Sequence, residues 1–112
     1  MAKKEPEQGR TPPGSMSMIE PRFRHIYKAF YKEIYYTPTA LDLKTKELIS
    51  IGVSAALKCE GCLKGHIKKA LEIGASKQEI SDALVVAIGI AAAGVVDMSD
   101  QAAGELDLHH FE

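Results

Sequence analysis

Cysteine is scarce in this chain: two in 112 residues, Cys59 and Cys62. Two cannot build the dense disulfide framework that holds small secreted domains together. Net charge is scarce as well, −1 from 14 basic and 15 acidic residues of interspersed sign. That balance argues against nucleic-acid phosphates or an anionic membrane surface as the main partner. No apolar run follows Lys3 and Lys4; the chain continues Glu5-Pro6-Glu7-Gln8-Gly9-Arg10, which is not a secretory signal. The longest apolar run, Ala83 to Val96, is shorter than the about 20 helical residues that cross a bilayer. The expectations are therefore a cytoplasmic protein with no membrane and no nucleic-acid partner. In a reducing cytosol a CxxC pair is redox-active or metal-binding rather than structural.

What the chain does have is helical spacing. Its hydrophobic fraction of 46% suffices for a core, and its length suits one domain, with residues 18–112 as that domain. So short a chain buries a small share of its surface, so association would help it. Met1 to Ser17 offers almost nothing to bury and is predicted to be a flexible arm. From Pro21 to Tyr36, Phe23, Ile26, Tyr27, Phe30 and Ile34 recur at three- and four-residue steps, an amphipathic helix whose aromatic stripe suits a core or a subunit interface. Thr37-Pro38-Thr39 breaks it, and Asp42 is a candidate N-cap for a second helix over Leu43 to Leu57. A third helix is expected from the CxxC to Ile73, ended by Gly74 in a left-handed C-cap. Ser76-Lys77-Gln78-Glu79 is a capping box opening a fourth helix, about Lys77 to Val96. After Ala83 that helix is apolar nearly all round and must be buried on every side, which points to a second subunit. The tail from Asp97 to Glu112 has room for a short helix. Without internal repeat or β-alternation, the fold class is all-α.

The chemistry-bearing residues lie between Glu47 and His66. Cys62 and His66 are four apart and share a helix face; Cys59 lies three before Cys62 at the helix start. Unpaired N–H groups and the positive dipole end stabilise a thiolate there. A free thiol near pKa about 8.5 is only a few per cent ionised at neutral pH, so this raises the reactive population many-fold. The spacing also allows the two sulfurs to close a disulfide. Thiol chemistry moves protons, and an imidazole such as that of His66 is the side chain suited to exchange them near neutral pH. If the second and third helices pack antiparallel, Glu47 folds back over the CxxC turn to accept a proton or to orient His66.

The pattern Glu47-x11-Cys59-x-x-Cys62-x3-His66, followed by Gly74-Ala75-Ser76 and Glu79-Ile80, resembles the alkylhydroperoxidase AhpD-like branch of the carboxymuconolactone decarboxylase family. The resemblance spans about Leu41 to Val96. It implies an all-helical subunit with a central two-helix CxxC hairpin, assembled as a trimer or a hexamer, that reduces hydroperoxides with thiols. It further implies Cys62 as the thiol that attacks peroxide, Cys59 as the resolving partner, and Glu47 with His66 as the proton relay. The re-reducing partner is then a dithiol, and no cofactor is needed. Better-studied members can carry a histidine just before the second cysteine, where this chain has Gly61. Helix-dipole logic by itself favours Cys59 as the more exposed nucleophile, so the division of labour stays open.

Other readings compete. Cys59, Cys62 and His66 are three zinc-ligand types, with His25, His109 or His110 as a fourth, but no second CxxC or HxxxH supplies the usual paired cluster. The expectation is no metal. A redox-sensing or assembly module could use the same pair without turnover. A decarboxylase-like lactone enzyme is disfavoured, because that branch typically lacks the CxxC and no further acid–base pair stands out.

Overall fold

The structure, a computed structural model, describes residues 16–109 and 111. The expected arm, Met1 to Ser17, falls almost wholly outside the described residues, as does His110. Two compact units divide the chain, the first ending at Leu43 and the second beginning at Lys44. All regular structure among the described residues is helical.

The first unit holds α1, Pro21–Tyr36. Pro21 sits in its first turn, where a missing N–H costs nothing. Thr37 ends it in an extended conformation, as a residue preceding proline prefers. Tyr27, Tyr31 and Tyr35 form a ladder of tilted rings with centroids 6.0 and 5.0 Å apart. No residue of α1 is buried. Its apolar stripe of Phe23, Ile26, Tyr27 and Phe30 is at least half exposed at every position, so within one chain it is not core.

The second unit holds α2, Leu43–Ala56, α3, Glu60–Glu72, and α4, Lys77–Glu105. Its core is Ile51, Ala70, Ala75 and Ile80, packed about by Leu48, Leu63, Ile67, Ala83 and Leu84. Ile51, fully enclosed, contributes about 1.5–3 kcal/mol. α2 packs tightly against α4 at Gly52, where a Cβ would meet the Ala83 carbonyl oxygen at 3.3 Å. The same turn chemistry ends all three helices. At each C-terminus one residue turns left-handed (Lys58, Gly74, Asp107), and the next N–H bonds back five residues, Cys59 to Ser54, Ala75 to Ala70 and Leu108 to Ala103. α4 opens on the capping box, with Ser76 and Glu79 each bonding the other's backbone N–H.

Two expectations need correction. α4 does not stop near Val96 but runs to Glu105 as a 29-residue helix. The end of an apolar run is not the end of a helix: Gln101 bonds Asp97 one turn earlier, and no proline interrupts. Consequently the length argument against a membrane span fails, since α4 is long and apolar enough to cross one by length and composition alone. A core or interface helix passes the same test. In the single chain Val85, Val86, Ile88 and Ile90 of α4 are each more than half exposed, as the expectation of a covering second subunit requires.

Candidate active site

Three residues of α2 face inward, Glu47, Ile51 and Ser54, at the four- and three-residue steps of one helix face. Glu47 is therefore carried into the interior at 4% exposure, where an unpaired carboxylate is costly. Its partner comes from α3. His66 Nδ1 donates to the carboxylate, 3.1 Å from Oε1 and 3.0 Å from Oε2, and the His66 side chain is itself only 12% exposed. A carboxylate offers only acceptors, so Nδ1 is the ring nitrogen suited to carry a proton in this contact.

The link that turns α2 into α3 is also the link that presents the cysteines. Lys58 takes φ 59°, which lets the Cys59 N–H reach the Ser54 carbonyl at 2.9 Å. Cys59 is then the N-cap of α3, and its own carbonyl accepts from Leu63 at 2.9 Å. Cys62 stands one turn into the helix. The two are joined as a disulfide, Cα atoms 5.3 Å apart, within the ordinary span for such a bond. Cys62 is exposed and Cys59 half-buried. This reverses the expectation from helix-dipole logic that Cys59 is the more exposed. The reason is the tie to Ser54, which draws Cys59 toward α2. His66 follows Cys62 by one turn on the same face of α3.

All four candidates thus lie in the second unit, on α2 and the first half of α3. Of the histidines considered as further metal ligands, His25 is on the exposed α1 and His109 is exposed beyond α4. Among the described residues no three His, Cys, Asp or Glu side chains converge on a possible metal position. Ser54 and Lys58 were not singled out from the sequence. Ser54 had a signal, being seven residues from Glu47 and so on its face. Lys58 had none, because a lysine seldom takes a left-handed turn. Gly61 is open: nothing lies within 4 Å of where its Cβ would be.

The carboxymuconolactone decarboxylase family model matches residues 21–103, most of the chain. The chain belongs to the carboxymuconolactone decarboxylase family. The AhpD-like motif from Glu47 to His66 lies inside the matched span. The chain is 32% identical over 75 residues to an uncharacterised protein of the cox locus of Paracoccus denitrificans, covering 67% of this chain and 68% of that one. An uncharacterised protein of Methanocaldococcus jannaschii is 32% identical over 76 residues, 65% of this chain and 73% of its own. A solved structure from Methanobacterium thermoautotrophicum matches at TM-score 0.69 and 28% identity, over 74% of this chain and 94% of that one. A family member from Thermotoga maritima, described as a candidate participant in an antioxidative response, matches at TM-score 0.52 and 34% identity, over 77% and 84%. The two solved structures share the helical fold.

Proposed function

We propose that this protein is a thiol-dependent peroxidase, a disulfide oxidoreductase that reduces hydroperoxides through Cys59 and Cys62. The observation that carries the proposal is a closed CxxC disulfide at the N-terminus of α3, with a buried carboxylate–imidazole pair on the face that Cys62 shares. The antioxidative connection of the Thermotoga maritima relative points the same way.

The cycle balances as follows. A dithiol reductant opens the disulfide and leaves as its own disulfide, returning two thiols. Cys62, exposed and within the first turn of α3, loses its proton to His66 Nε2 and attacks the terminal oxygen of the hydroperoxide. The O–O bond breaks, Cys62 becomes a sulfenic acid, and the imidazolium returns the proton to the departing alkoxide, giving an alcohol. Cys59 then displaces hydroxide from the sulfenic sulfur, which leaves as water, and the disulfide closes. Glu47 fixes the His66 tautomer and stabilises the imidazolium. Peroxide gains two electrons and the dithiol loses two. We assign the protein to the cytoplasm, where such dithiols are maintained, as a trimer or hexamer.

The test is thiol titration before and after one equivalent of an alkyl hydroperoxide, with peptide mapping. Loss of both thiols to a Cys59–Cys62 bridge is expected. Two free thiols, or only bridges between chains, would overturn the proposal.

A further inference from the structure

Two apolar faces are bare in the single chain. One is the stripe of α1, with Phe23 53%, Ile26 58% and Phe30 64% exposed. The other is an open groove of about 670 Å³ between α2 and α4. Ile49, Val53, Val86 and Ile90 line it, together with Gly52, Ala83 and Ala87, where α2 packs tightly against α4. Small residues between larger ones make a slot for bulky side chains.

Charge says what the slot takes. Among the residues lining it, Glu79 and Asp82 come from the first turns of α4. α4 as a whole carries Glu79, Asp82, Asp97, Asp100 and Glu105 against Lys77 alone. α1 is the opposite, with Arg22, Arg24, Lys28 and Lys32 against Glu33 alone. By helical spacing Arg22 and Arg24 flank the aromatic stripe on its two sides near the N-terminal end of α1. Laid along α4 in the same direction, the basic N-terminal turn of α1 lies beside the acidic first turns of α4 while Phe23, Ile26, Tyr27 and Phe30 face the slot.

We propose that α1 of one copy lies in the α2–α4 groove of a second copy. Each face is exposed, and a second copy supplies the complement of each. A basic, aromatic, amphipathic helix also suits an anionic membrane surface, but the apolar groove edged by Glu79 and Asp82 is the complement of α1 in both charge and apolarity. The proposal rests on the homo-oligomer part of the functional reading and not on its redox part.

Benzoylphenylalanine in place of Phe30, in oligomers assembled from equal parts ¹⁴N- and ¹⁵N-labelled chains, tests it by photo-crosslinking and peptide mass. Mixed-isotope links from position 30 into α2 or α4 are expected, and Phe30→Ala should raise the oligomer dissociation constant roughly tenfold or more. Asp82→Arg should weaken assembly and Arg24→Asp in the same chain should restore it. Links confined to one isotope, or links between chains at other surfaces, overturn the proposal and leave the homo-oligomer standing. A stable monomer at micromolar concentration overturns both. Binding of the full chain to anionic phosphatidylserine vesicles, lost with Phe30→Ala and accompanied by no inter-chain link, overturns it in favour of a membrane face.

Discussion

Glu47 and His66, nineteen residues apart in sequence, meet inside the second unit with His66 Nδ1 at 3.0 Å from the nearer carboxylate oxygen. The contact explains how a carboxylate survives at 4% exposure. It also ties the His66 ring of α3 to α2 through Nδ1.

Glu47→Gln keeps the shape and one acceptor for Nδ1 but removes the charge that supports an imidazolium. Turnover with a hydroperoxide is expected to fall by about 10²–10⁴-fold, the usual scale of lost acid–base help. The disulfide should still close, slowly, and the rate should recover as pH rises and solvent deprotonates the thiol. Near-normal turnover with an unchanged pH profile would remove Glu47 and His66 from the relay.

Gly61 occupies the position where relatives can carry histidine, and space for a side chain is open there. Gly61→His is expected to fold, to gain a few tenths of a kcal/mol from the better helix former, and to raise turnover rather than lower it. Melting curves and steady-state rates check both parts.

The helix boundaries show what could be read from sequence alone. Ser76 and Glu79 announce the start of α4 because a capping box is local chemistry, complete within four residues. Gly74 announces the end of α3 for the same reason: its φ of 95° suits glycine. Lys58 adopts the same kind of turn without the residue that would advertise it, so the α2–α3 link could not be placed to the residue. α4 outran its expected end because apolar content reports burial, not hydrogen bonding. Periodicity put Glu47 on a helix and the family motif linked it to His66. Only the folded second unit gives the contact, since nineteen intervening residues must turn back to make it. Which cysteine faces solvent depended on one backbone bond, Cys59 to Ser54, that no residue pattern encodes.

Gly52 of α2 packs tightly against α4, a Cβ there lying 3.3 Å from the Ala83 carbonyl oxygen. Gly52→Leu should force the helices apart and lower stability by about 1–3 kcal/mol, the range for overpacking. Chemical denaturation of the reduced protein measures it, and an unchanged midpoint would contradict the packing described.

Glu79 titrates below the ordinary carboxylate range, first because of its hydrogen bond with Lys44 and then because the Ser76 N–H bonds it. A group whose folded pKa is depressed stabilises the fold above its unfolded value and loses that contribution as pH falls through the folded one. Glu79→Gln should therefore be less stable than the parent at neutral pH. The gap should close in acid below about pH 4.3, the usual value for glutamate. A gap that is constant with pH would assign the loss to something other than charge.

The central claim is turnover through both cysteines, and steady-state hydroperoxide consumption with excess dithiothreitol measures it most directly. The parent protein is expected to consume many equivalents per chain. Cys62→Ser should abolish consumption, and Cys59→Ser should stop after about one equivalent, with a sulfenic acid trapped on Cys62. One equivalent consumed by the parent itself, with no further turnover, would contradict a peroxidase and leave a redox switch. Full activity in Cys62→Ser would contradict the assignment of the attacking thiol.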